Sequence, residues 1–288
     1  MTAALGRWRG LGAVAAALVL TVTMGACATP ARTAAPAAVS TVGTSKAAVP
    51  SSRPTPSAIA DPTTLPTVGP LFAAGLASVH TCTASVVSSP KGNIIVTAAH
   101  CVSGTGAGLL FAPGYDDGGA PYGTWVVQRA YLAPNWIRHQ DPAADFAFLV
   151  VTPSATNRTR ASVQSVVGAN TLGSAPAAGQ RVTVAGYTIG RDDSPVVCTA
   201  TVYRTRGYPS FDCPGFADGT SGSPWIAHYN AATGSGTITA LIGGLSQGGC
   251  TADTSYSAPF TDSTDKAYAR AVAGEPADET PPAGLPIC

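Results

Sequence analysis

Apolar residues in this chain come in short runs punctuated by Gly, Pro, Asn and Asp. From Val68 onward the β-branched and aromatic stretches include Ala84 to Val87, Ile94 to Val96, Thr124 to Val127 and Phe146 to Val151. Further on come Arg181 to Ala185, Val196 to Val202 and Thr237 to Ile242. Runs of this length, bounded by turn formers, predict strands of an all-β barrel or sandwich. Helical periodicity is confined to Thr264 to Ala273, so one short C-terminal helix is expected. Val68 to about Ala273 offers roughly 200 residues, enough for two small barrels that share an interface. The tail after it, from Gly274 to Ile287, is Pro-rich and predicted to lie over the surface, fastened through Cys288.

The pattern before Val68 is of another kind. Arg7 and Arg9 precede an apolar core from Leu11 to about Met24, followed by small residues, which predicts an export signal over 1–27. That core is shorter than the roughly 20 residues a spanning helix needs, so cleavage is preferred to a permanent anchor. Met24-Gly25-Ala26-Cys27 resembles the lipobox of bacterial lipoproteins, which implies lipidation of Cys27 and a lipid anchor in the membrane. Ala26-Cys27-Ala28 also fits ordinary cleavage between small residues; lipidation is favoured because it explains an otherwise odd cysteine. Residues 28–67 are mostly Ala, Pro, Ser and Thr, too poor in core-forming side chains to offset ordering entropy, and predict a linker or pro-segment ahead of a domain over 68–288.

A net charge of +1 with only 11% charged residues excludes the basic face that nucleic-acid binding requires. Setting Cys27 aside leaves Cys82, Cys101, Cys198, Cys213, Cys250 and Cys288, an even set that predicts three disulfides in an oxidising compartment. No close C-x-x-C pair suggests a metal site.

The candidate chemistry lies in three segments. Thr97-Ala98-Ala99-His100-Cys101 follows an apolar run; Asp145-Phe146-Ala147-Phe148 opens another; Gly219-Thr220-Ser221-Gly222-Ser223-Pro224 sets a serine between glycines. A serine that attacks a carbonyl needs an imidazole to take its proton and a buried carboxylate to fix the imidazole tautomer. His100, Asp145 and Ser221 supply these, and the N–H groups of Gly219 and Ser221 are the expected oxyanion donors. Asp141 is the rival acid, but its Asp-Pro context reads as a turn. Ser246 is the rival nucleophile, in Gly244-Leu245-Ser246-Gln247-Gly248, which fits the G-x-S-x-G elbow. That elbow requires a histidine after the serine, and His80, His100, His139 and His228 all precede it.

Together the three segments resemble the chymotrypsin-like (trypsin-like) serine peptidases, in particular the bacterial branch related to glutamyl endopeptidases. The resemblance runs from about Val68 to Ala273 and includes Cys82-Thr83-Ala84-Ser85 before the histidine. It implies two six-stranded antiparallel β-barrels, a polypeptide substrate, an acyl-enzyme and no cofactor, in a protein expected to act as a monomer. It also implies that Gly215 lies at the base of the primary pocket, and that Ser246, Gln247 and Gly248 form a strand that pairs with substrate. Ser246 would then support Asp145 instead of attacking. The residue before the nucleophile is Thr220 where the animal enzymes carry aspartate, so their N-terminal activation switch is absent. Gly215 provides no carboxylate for Arg or Lys, and Leu245 replaces the histidine of glutamyl-specific relatives, which leaves an apolar or small-residue preference. Cys82–Cys101 is the foremost disulfide; Cys198–Cys213 with Cys250–Cys288 competes with a Cys213–Cys250 pair. The competing function is a catalytically silent domain that binds peptides or partners at the cell envelope.

Overall fold

A computed structural model describes residues 65–191, 193–282 and 284. The signal, Cys27, almost all of the linker and Cys288 lie outside the described residues.

The first half closes into a six-stranded barrel. Its strands are β1 (Val68–Phe72), β2 (His80–Val87), β3 (Ile94–Thr97), β4 (Leu110–Phe111), β5 (Trp125–Leu132) and β6 (Ala147–Pro153), paired in the order β1-β2-β3-β6-β5-β4. All four residues of β3 and the first five of β6 are buried, which is why these stretches read as continuous apolar runs. In β5 the burial is interrupted at Gln128 and Arg129, both exposed, where a bulge shifts the register against β6. Antiparallel pairing of β3 with β6 aligns Thr97 with Ala147. The segments that leave these two residues therefore emerge side by side, although they are far apart in the chain.

The second half contains β7 (Thr171–Leu172), β8 (Arg181–Gly186), β9 (Val196–Thr201), β10 (Tyr203–Thr205), β11 (Tyr208–Asp212), β12 (Pro224–Asn230), β13 (Ser235–Leu241) and β14 (Thr254–Tyr256). Its strands hydrogen-bond as two sheets, β7-β13-β12-β8-β9 and β10-β11-β14, where the sequence predicted one six-stranded barrel. β7 runs parallel to β13, a departure from the expected all-antiparallel pairing. Both sheets still enclose one core, centred on Trp225, whose ring meets Phe211 edge-on at 4.8 Å.

The expected C-terminal helix is α3 (Asp262–Ala273), which starts two residues earlier than predicted because Thr261 and Thr264 form a reciprocal capping box. Thr264, Ala267 and Ala271 bury one face of it, and Tyr268 packs edge-on against Phe148. Two single-turn helices, α1 (Pro134–His139) and α2 (Val163–Val167), were not predicted; runs of five or six residues are too short to show a period. Beyond α3 the tail lies along β5, where Asp278 N donates to Ala130 O at 2.9 Å. Arg270 grips the Asp278 carboxylate with two 2.9 Å bonds, and Leu132 N adds a third at 2.8 Å.

Two disulfides are described, Cys82–Cys101 and Cys198–Cys213. The second excludes the Cys213–Cys250 alternative. Cys250 is itself disulfide-bonded, and its expected partner Cys288 lies outside the described residues. Each described bridge closes a short loop, worth about 3 kcal/mol through the entropy of the unfolded chain.

Candidate active site

His100 sits in a single 3-10 turn, Ala99–Cys101, that follows β3. Cys101 is tied to Cys82 in β2, so the turn is fastened to the barrel from both sides. Asp145 ends a second such turn, Pro142–Ala144, just before β6. The β3–β6 register brings the two together: His100 Nδ1 lies 2.8 Å from Asp145 Oδ2. The His100 backbone N–H also donates to Asp145 Oδ1 at 3.0 Å, and Gly244 N–H donates to Oδ2 at 2.8 Å. Asp145 is fully buried, and a buried carboxylate is tolerable only with this kind of hydrogen bonding. Gly243 leaves the room, since a Cβ there would stand 3.0 Å from Asp145 Oδ2. Asp141, the rival acid, caps its own turn by accepting Ala143 N–H at 2.9 Å.

Ser221 lies at a sharp bend between Gly219 (φ +96°) and Gly222 (φ +85°). Ser221 O accepts Thr83 N–H at 2.7 Å, and Gly222 N–H donates to Ile242 O at 2.7 Å, so the bend is stitched to both halves of the molecule. A Cβ on Gly222 would come within 2.2 Å of both Thr83 O and Thr97 Oγ1. The Cys101 sulfur lies 3.8 Å from Ser221 O, and a ring nitrogen of His100 and the sulfurs of Cys82 and Cys101 all lie within 4.8 Å of one another. Histidine, disulfide and serine bend thus share one corner. Both sulfurs are spent on each other, so the group is not a thiolate metal set. Among the described residues the N–H groups of Gly219 and Ser221 donate to no backbone acceptor, while those of Thr220, Gly222 and Ser223 do. Thr220 turns its hydroxyl to Ala217 O at 2.7 Å, a local bond.

Beside Ser221 opens a cavity of about 620 Å³, walled by Ile189, Phe216, Ala217 and Ile242 among apolar groups and by Thr220, Asp218, Gln247 and Gly248 among polar ones. Two expectations are corrected here. Gly215 is exposed and absent from this wall, which its neighbours Phe216 and Ala217 supply instead. Leu245–Gly248 is not an extended strand: Ser246 (φ 49°) and Gln247 (φ 54°) fold into a left-handed turn. Flanking Gly244 and Gly248 permit that fold, and the Gln247 side chain is held by the Gly284 carbonyl. Asp212, another nearby carboxylate, is occupied by the Tyr203 hydroxyl at 2.9 Å and the Thr254 hydroxyl at 2.7 Å. Burial, together with this acceptor, pushes the Tyr203 phenol up to about 12.

One pair has no signature in the sequence. His80, fully buried at the start of β2, places Nε2 2.8 Å from Asp193 Oδ1. Their separation of 113 residues leaves no local signal of it.

A model of the trypsin-like peptidase domain matches residues 82–234, more than half of the chain. No curated protein matches it by sequence. Among solved structures, the thermostable serine protease AL20 from an extremophilic microorganism is 22% identical, with a TM-score of 0.60 over 73% of this chain and 98% of the other. Protease Anisep from Arthrobacter nicotinovorans is 24% identical, with a TM-score of 0.61 over 73% and 97%. A Glu endopeptidase is 17% identical, with a TM-score of 0.53 over 73% of this chain and 91% of the other. These likenesses establish a shared fold. By the family model, with its match running from the cysteine of β2 through the Ser221 bend, the chain belongs to the trypsin-like peptidase family and is a serine endopeptidase.

Proposed function

We propose that His100, Asp145 and Ser221 are the catalytic triad of this peptidase, with the N–H groups of Gly219 and Ser221 as its oxyanion hole. The observation that carries the reading is the fully buried Asp145, which holds His100 through both its backbone N–H and its ring Nδ1. With Nδ1 protonated and bound to the carboxylate, Nε2 is left as the free base. It takes the proton of Ser221 Oγ as Oγ bonds to the substrate carbonyl carbon. The carbonyl oxygen becomes an oxyanion facing Gly219 and Ser221 N–H, whose freedom from backbone acceptors suits them to receive it. His100 then passes the proton to the leaving amine as the C–N bond breaks, and water, deprotonated by the same nitrogen, releases the acyl group from Ser221.

Ile189, Phe216, Ala217 and Ile242 favour an uncharged side chain in the cavity beside Ser221. A fluorophosphonate probe is expected to modify the folded protein at Ser221, and peptides with an apolar residue before the scissile bond to turn over faster than those with Arg or Glu. Modification at Ser246, or none under conditions that label an active control, overturns the assignment in favour of another nucleophile or a silent domain.

The disulfides suit an oxidising compartment, and Arg7, Arg9 and the apolar run after them suit export. The reading is therefore an envelope peptidase anchored through lipidated Cys27. Cys27→Ser is expected to shift the protein from the membrane to the soluble fraction. An unchanged membrane fraction contradicts the anchor without touching the triad.

A further inference from the structure

We infer that His80 and Asp193 are a positioning pair for the oxyanion hole, joining β2 to the segment that presses on Gly219. The inference rests on the proposed roles of Ser221 and Gly219. Among the described residues the Thr220 side chain bonds only to Ala217 O, so the loop before Ser221 is held by something else.

The hydrogen bonds lead from the pair to the loop. His80 and Gly190 exchange backbone bonds, His80 N to Gly190 O at 2.9 Å and Gly190 N to His80 O at 3.4 Å. Three residues further on, Asp193 Oδ1 meets His80 Nε2, so one residue of β2 grips this segment at two points. Between Gly190 and β8 the segment does three things to the loop. Ile189 N–H donates to Asp218 O at 2.6 Å. The backbone of Thr188 and Ile189 lies so close to Gly219 that a Cβ there would be 2.1 Å from Ile189 N. Tyr187 N–H donates to Thr83 Oγ1 at 2.9 Å, and that hydroxyl in turn donates to Gly219 O at 3.2 Å. The carbonyls on both sides of the Gly219 N–H are thereby fixed, one by Ile189 and the other by Thr83. The direction of that N–H follows from theirs.

The chemistry of the pair fits a directional fastening better than space filling. Phe72, Tyr115 and Tyr187 surround the His80 ring edge-on at 5.3, 6.1 and 5.9 Å, a box that an apolar ring would fill as well. His80 Nδ1 and Asp193 Oδ2 are buried there with no hydrogen-bond partner among the described residues. A histidine that leaves one nitrogen unsatisfied in such a box contributes through its other nitrogen, the one bonded to Asp193. Released from it, the segment would lose one of the two points at which His80 grips it, and the Thr188–Ile189 backbone that sets the Asp218–Gly219 peptide would be held less firmly.

Asp193→Ala and His80→Phe, the second of which keeps the box filled, test the role. Both are expected to lower kcat by about 10²-fold, as loss of one oxyanion donor does, with KM within about threefold. Asp193→Asn, which retains an oxygen for His80 Nε2–H, is expected to recover most of the rate. Rates are normalised to the active-site concentration found by burst titration, which separates slow turnover from a smaller folded fraction. If normalised kcat in both variants stays within about twofold of the parent, the pair is only structural and the inference is wrong. Failure of the parent protein itself to label at Ser221 overturns the triad reading instead.

Discussion

Asp145→Asn is expected to lower kcat about 10⁴-fold while Ser221 and the cavity beside it remain intact. The three donors around this carboxylate set the size of the effect. Oδ1 accepts the His100 backbone N–H, and Oδ2 accepts both His100 Nδ1–H and Gly244 N–H. An asparagine has one oxygen and one NH₂ for these two positions. With its oxygen at the Oδ1 position, the NH₂ faces His100 Nδ1, which must then accept; the proton moves to Nε2, and the nitrogen needed as base becomes a donor. The same NH₂ also confronts Gly244 N–H. With its oxygen at the Oδ2 position, the tautomer is preserved, but the NH₂ confronts the His100 backbone N–H. Neither orientation satisfies all donors in a fully buried site, so a stability loss of about 1–3 kcal/mol should accompany the kinetic one. Steady-state rates with a denaturation curve on the same sample check both parts. A kcat within tenfold of the parent's would show that Asp145 does not orient His100.

That Asp145 could be chosen from the sequence follows from where it stands. A carboxylate directly ahead of Phe146 to Val151 must either be buried with partners or break the strand, and its partner is the histidine in the turn that follows the adjacent strand. His100 and Ser221 were legible for similar reasons, because glycines, a cysteine and apolar runs mark their backbone surroundings. The cavity was not legible in the same way. Gly215 and Ser246 to Gly248 were placed by resemblance alone, and both depend on how a loop folds rather than on a pattern of burial. Positive φ at Ser246 and Gln247 has no counterpart in hydropathy, and it converts the expected edge strand into a turn. The division of the second half into two sheets was hidden for a related reason. β7 and β10 are two and three residues long, and the partner of so short a strand is set by tertiary packing. The His80–Asp193 bond was the least accessible feature, since a lone histidine at the start of a strand reads as surface or core until its partner is seen.

Gly219→Ala is expected to reduce kcat by about 10²–10³-fold, and Gly215→Ala to leave it within about twofold. The two glycines have nearly the same φ, +96° and +94°, so the cost of placing a side chain at positive φ, about 1 kcal/mol, is common to both. Their surroundings differ. Next to Gly215 a Cβ would find only Val196 Cγ1, at an ordinary 3.8 Å. At Gly219 it would overlap Ile189 N at 2.1 Å and Thr188 C at 2.6 Å, both backbone atoms with no rotamer to yield. Relief requires either that the Thr188–Ile189 backbone withdraw, breaking the Ile189 N–H bond to Asp218 O, or that the Gly219 peptide turn away from Ser221. Each route removes an oxyanion donor from its place. The paired comparison subtracts the φ term and leaves the steric one, and it also tests the place of Gly215 outside the cavity wall, since its substitution should not alter the preference for the residue before the scissile bond. Equal kcat losses in the two variants would mean that backbone conformation alone accounts for the effect and that Gly219 N–H has no part in stabilising the oxyanion.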